Sequence, residues 1–257
     1  SFIDKPDVVI GNQIHAIYLL PCEREDRQFD VNSNIEFSLL AINKWFLDKS
    51  ENKKLNFDIN NKNKIDVTFL RVNKTMDWFD NKNNERIDIS EKIKNIIFLN
   101  KDYFKNFQNK KFIIFFEGWE RRKYIYFDVC GKADFKGKIS IYYTYSRFKK
   151  YIGNELNLKK NKRIFTCTKK DHLNDENDLN FGDAEATILH EILHLLGAPS
   201  KCGKNLDNSK SHVADTTKDI MHKQSGNEYL DYKNNDYYNH NIEGCNDLKN
   251  SDYLISN

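Results

Sequence analysis

The chain has 257 residues, 39% of them hydrophobic, with 18 Phe and 13 Tyr. That length and aromatic content support a sizeable core and exclude a disordered chain. The 41 basic and 38 acidic residues leave a net charge of +3, which excludes a nucleic-acid partner as a reading of charge alone; the basic run at 159–163 reads as solvated loop. No apolar stretch approaches the roughly 18 residues of a membrane span; the longest, Phe112 to Phe116, is strand length.

In chain order, Ile14 to Leu20 reads as a buried strand stopped by Pro21. Residues 34–48 place Ile35, Leu39, Ile42, Trp45 and Phe46 at helical spacing, with Ser33 or Asn34 as cap. Lys64 to Val72 alternates Ile65, Val67 and Phe69 as a strand, and 88–99 gathers Ile89, Ile93, Ile96 and Ile97 on one helical face. Strands are expected at 111–117, 123–129 and 138–145. Asp183 is the expected cap of a helix from Ala184 that ends at Gly197, with Pro199 forbidding continuation. The order strand, helix, strand, helix, strands, helix predicts an α/β (α+β) fold with a mixed sheet. Turn formers dominate beyond residue 200. We therefore expect a single domain over 1–257, with an ordered part at 1–197 and an irregular part at 198–257.

The five cysteines, Cys22, Cys130, Cys167, Cys202 and Cys245, form no Cys-x-x-Cys pair, which argues against a thiolate zinc knuckle. Their wide spacing suits long-range disulfides in an exported protein. The expected pairs are Cys202–Cys245 and Cys130–Cys167, leaving Cys22 free; five reduced thiols in a cytosolic protein are the alternative. No charged–apolar–small leader is present, so export requires one already removed.

The chemistry concentrates in "HEILHLLGAPS", residues 190–200. Residues i and i+4 share a helix face, so His190 and His194 can present imidazole nitrogens to one ion. Zinc takes such ligands and, in catalytic sites, keeps three protein ligands plus water. Glu191, beside the first ligand, is placed to act as general base on that water. Ser200 stands where a third His would follow the glycine turn, and a hydroxyl is a poor zinc ligand. The missing ligand must come from "SHVADTTKDIMH", residues 211–222: His212 first, because imidazole is the commonest zinc ligand, then Asp215, then Asp219. Met221 falls where a methionine turn would lie beneath the metal.

On these residues, with "SHVADTTKDIM" and "LDYKNNDYYNHNIEGCNDL" further on, the chain resembles the zincin metallopeptidases. It is similar to a metzincin-like group of secreted bacterial proteases with H-E-x-x-H-x-x-G and a long spacer. The match covers 183–248; the N-terminal half agrees only in its order of elements, a twisted sheet backed by two helices. The resemblance implies one zinc on His190, His194 and His212, Glu191 as base, Met221 below the metal, and a motif helix across the cleft floor. It departs from the pattern at Ser200 and at Ser211, which replaces a glycine. No tyrosine directly follows Met221; Tyr237 or Tyr238 is the candidate for that role from further along, with packing as the alternative, and His240 is a candidate partner of a local carboxylate or of the metal. Asp231, Asn234, Asn235 and Asp236 offer oxygens of the kind calcium takes, without a specific loop pattern. The expected function is a zinc endopeptidase, secreted or periplasmic, acting on an extended peptide along an edge strand, for which 137–146 is the candidate, an ordinary central strand with aromatic packing being the favoured reading of the same residues. The alternatives are a zincin-fold binding protein with a structural zinc closed by His190, His194, His212 and Asp215, and a zinc hydrolase of non-peptide amides.

Overall fold

The structure is a computed structural model that describes residues 2–8, 10–79, 88–118, 130–144 and 173–257. The strand expected at 123–129, the basic run at 159–163 and Cys167 lie outside the described residues.

Strand β1 (Gln13–Pro21) pairs in parallel with β3 (Val67–Val72) on one side and β4 (Lys110–Phe116) on the other. Beyond β4 lies parallel β6 (Ile139–Tyr143), and antiparallel β5 (Gly131–Ala133) closes the row. The sheet order is β3-β1-β4-β6-β5, a mixed five-stranded sheet. Of the two readings of 137–146, the central strand holds: β6, which occupies it, is interior, and β5 takes the edge among the described residues. A three-residue strand carries too little alternation to be read from sequence. The same holds for β2 (Lys53–Leu55), which pairs with β7 (Leu254–Ser256) and ties the C-terminus back to the first half.

The central strands read as continuous apolar runs because both sheet faces are covered. Ile14, Ala16 and Tyr18 of β1, with Ile113 and Phe115 of β4, face one core; Ile17 and Leu19, with Phe112, Ile114 and Phe116, face the other. Each such Ile, Leu or Phe side chain, fully buried, contributes roughly 1.5–3 kcal/mol. Helix α1 (Asn34–Lys49) puts Ile35, Leu39, Ile42 and Phe46 into the first core. Short α2 (Met76–Phe79) and α3 (Ile89–Leu99) cover the second, and the Asp88 carboxylate caps α3 by accepting from Ser90 N–H at 2.9 Å. The two helices expected behind the sheet thus lie on opposite faces. Trp45 is only partly buried and stacks on Phe181, with centroids 4.5 Å apart.

Helix α4 (Asp183–Leu196) packs against β6 and β5 on the α1 side. The irregular segment after it shares the first core through Val213, Ile220, Met221, Leu230, Tyr237, Tyr238, Leu248 and Leu254. Cys202 and Cys245 form a disulfide there, with Cα atoms 6.0 Å apart. Cys130 is also disulfide-bonded, and Cys22 is free and exposed.

Candidate metal centre

Helix α4 buries Ile188, Leu189, Ile192 and Leu193 in the first core, which fixes its rotation and turns His190 and His194 to one side. Asp183, the expected cap, is the first helical residue. The cap position is Gly182, and Glu185 does the capping: its carboxylate accepts from Gly182 N–H at 3.0 Å and from Ser38 Oγ–H of α1 at 2.8 Å. Gly197 ends the helix in the left-handed region, φ +102°, where a side chain is strained. Its N–H donates to the His194 carbonyl, and Ala198 N–H to that of Leu193, each at 2.9 Å. The reversed chain then brings the Ala198 carbonyl to 2.8 Å from His194 Nδ1, which donates to it.

His212 arrives on a loop closed by hydrogen bonds at both ends. Asp207 N–H donates to the His212 carbonyl at 2.8 Å, and Val213 N–H to that of Met221 at 3.1 Å. Residues 219–222 form a tight turn, with His222 N–H donating to the Asp219 carbonyl at 3.1 Å. The Ile220 carbonyl of this turn accepts from His190 Nδ1 at 2.7 Å. Asp219 holds the turn together: its carboxylate accepts from Met221 N–H at 2.7 Å, Tyr232 N–H at 2.8 Å and Tyr237 O–H at 2.8 Å. Burial nonetheless pushes this carboxyl up to about 7.

These elements bring His190, His194 and His212 together, with one ligand nitrogen of each within 4.8 Å of the others. The ring centroids are 4.5, 5.2 and 5.3 Å apart. His190 and His194 spend Nδ1 on backbone carbonyls, and Asp207 Oδ2 lies 3.6 Å from His212 Nδ1. That leaves Nε2 of each ring for a metal, while the neighbour at the other nitrogen orients the ring. Burial holds all three below the ordinary histidine range: His190 well below, His194 at about 4, His212 lowered. Neutral imidazole is the ligating form. Three converging neutral nitrogens fit a zinc-type ion with an open fourth position. Glu191 is buried beside them, its carboxylate against Gly131 of β5.

The other sequence candidates go elsewhere. Asp215 is exposed and not part of the histidine group, so the four-ligand shell of the binding-protein alternative is not assembled. Asp219 serves its turn. Ser200 Oγ donates to the Asn246 carbonyl. Tyr237 bonds Asp219, Tyr238 O–H donates to the Ser50 carbonyl at 2.7 Å, and His240 Nε2 donates to the Asn246 carbonyl at 3.1 Å; each is structural in this arrangement. The Asp231 carboxylate, offered for calcium, accepts from the N–H groups of Asn235, Asp236, Tyr237 and Tyr238. Sequence reasoning missed Asp207, Gly131 and His222, whose nearby charge depresses His190 and His212 further. Asp207 and Gly131 follow no motif; His222 adjoins Met221 and was legible as a fourth histidine.

A second group, Asp4, His15, Asp58 and Asp66, is buried at the start of β1. A protein cation fills it: Lys110 Nζ lies 2.6 Å from oxygens of Asp4, Asp7 and Asp58. His15 bridges Asp58 Oδ2 at 2.7 Å and Thr68 Oγ1 at 2.9 Å.

No family model and no curated protein matches the chain. Among solved structures it is similar to catalytically inactive OgpA from Akkermansia muciniphila, a crystal structure in complex with an O-glycopeptide (glycodrosocin) substrate. The identity is 12% and the TM-score 0.47, with 86% of this chain and 56% of that one covered. This chain therefore spans little more than half the length of that protein.

Proposed function

We propose that the chain is a zinc-dependent endopeptidase with a metzincin-like site, its catalytic machinery carried by one domain over residues 1–257. The observation that carries this reading is the convergence of three neutral histidines, His190 buried and His194 and His212 half-buried, beside the buried Glu191 of the motif helix. His190, His194 and His212 would hold the ion, and Met221 lies in the turn whose Ile220 carbonyl orients His190. Zinc, when bound, supplies Lewis-acid polarisation of the scissile carbonyl and acidifies the attacking water. The Glu191 carboxylate takes the proton from that water and passes it to the leaving amine nitrogen.

The peptide binds extended along β5. In the antiparallel β5–β6 ladder, Tyr143 N–H donates to the Cys130 carbonyl and Asp134 N–H to that of Ile139. Hydrogen-bonded pairs alternate along such a ladder, so the backbone groups of Gly131 and Ala133 aim away from β6, toward a substrate strand. Disulfide bonding at Cys130 and between Cys202 and Cys245 supports a secreted or periplasmic setting.

The test is cleavage of an unstructured protein substrate by the zinc-supplemented chain and by Glu191→Ala. The reading expects internal cleavage by the wild type and a loss of about a thousandfold or more in the variant, with zinc retained. Equal cleavage by both removes the role given to Glu191.

A further inference from the structure

Glycine 131 sits in β5, the edge strand among the described residues, directly against the Glu191 side chain. A Cβ built on Gly131 would stand 2.7 Å from Glu191 Oε1 and 2.8 Å from Cδ, closer than van der Waals contact allows. Among the described residues the positive-φ glycines are Gly11, Gly197 and Gly244, and Gly131 is not one of them. Its backbone is therefore one that any L-residue adopts, and the glycine is required for space rather than for conformation. The neighbouring side chain can turn about its own single bonds, whereas the strand is held. Cys130, next to it, is disulfide-bonded and its carbonyl accepts from Tyr143 N–H at 3.0 Å. On the other side, Lys136 N–H donates to the His194 carbonyl at 3.2 Å, and the Lys136 stem lies over Gly197. The β5–β6 hairpin thus grips the motif helix at its C-terminal end and presents a gap in its side chains at Glu191.

We propose that Gly131 is a positioning residue that seats the Glu191 carboxylate: the missing side chain lets the carboxylate lie against the edge strand, where the substrate backbone and the metal-side water meet. The catalytic consequence rests on the peptidase reading; the contact itself does not. An added methyl displaces the carboxylate, because the strand cannot retreat. A displacement near 1 Å in a reacting group costs about a hundredfold in rate.

The test is a double-mutant cycle of Gly131→Ala with Glu191→Ala, read two ways. In zinc-loaded protein, Gly131→Ala is expected to lower kcat about a hundredfold with KM nearly unchanged and zinc content at the wild-type level. In the Glu191→Ala background the same change is expected to leave the residual rate unaltered. In metal-free protein, the urea midpoint is expected to shift downward on Gly131→Ala relative to the shift seen in the Glu191→Ala background, where the clash is gone. Identical midpoint shifts in both backgrounds, or an unchanged kcat in an active enzyme, overturn the proposal. If the zinc-loaded wild type cleaves nothing, the peptidase reading fails on its own, and the midpoint cycle still decides whether Gly131 seats Glu191.

Discussion

At the scale of single residues, the site depends on what holds each imidazole. His190 and His194 lean on backbone carbonyls, which substitution cannot remove, whereas His212 faces the Asp207 carboxylate. Asp207→Ala is therefore expected to weaken zinc binding about 10–100-fold, the usual effect of losing such a partner. A competition titration against a chelator reads this; unchanged affinity would mean that the 3.6 Å approach does not orient the ring. Asp219 makes a prediction with a definite sign. Burial raises its carboxyl to about 7 in the fold from an ordinary 3.8. The folded chain thus binds a proton that the unfolded chain releases, and this contribution is lost as pH rises through 7. The stability difference between wild type and Asp219→Asn should move in favour of the variant between pH 4 and pH 8. Urea midpoints at several pH values check this, and a pH-independent difference would show that Asp219 is ionised throughout.

At the scale of elements, helices and long strands were legible and short or turn-built pieces were not. The 3.6-residue spacing of Ile35, Leu39, Ile42 and Phe46 placed α1 to within a residue of its observed end. The motif helix and its stop at Gly197 were equally clear, because a left-handed terminus demands glycine. That β6 is a central strand was the favoured reading, but the edge strand beside it was not found, since β5 spans only Gly131–Ala133. The sequence singled out Met221, but the fastening of its turn by Tyr237 was not legible, because a hydrogen bond across 18 positions leaves no local pattern. Tyr237→Phe leaves the Asp219 carboxylate one donor short in a fully buried site, and is expected to cost about 1–3 kcal/mol. Denaturation of the metal-free protein measures it, and a loss below a few tenths of a kcal/mol would contradict the bracing role.

At the scale of the whole molecule, the fold is fastened at the two ends of its central sheet. At one end the cluster of His190, His194 and His212 brings α4 against the irregular C-terminal segment. At the other, Lys110 gathers Asp4, Asp7 and Asp58, and Lys5 Nζ pairs with Asp66 at 2.6 Å. This network binds residues 4–7 to the start of the sheet. None of it was legible, since lysines and aspartates abound along the chain and only the tertiary fold selects these. Lys110→Met strands buried carboxylates and is expected to cost about 3–5 kcal/mol, read as a lowered urea midpoint; an unchanged midpoint would show that the carboxylates take up protons at no cost.

The central claim is that the ligand missing at Ser200 comes from His212, across a long spacer. Its most direct test is zinc content by elemental analysis on wild type, His212→Ala and Asp215→Ala prepared side by side. The account predicts about one zinc per chain in wild type and in Asp215→Ala, as expected for a single three-histidine site, and loss in His212→Ala. Retention in His212→Ala with loss in Asp215→Ala, or no zinc in the supplemented wild type, would contradict it.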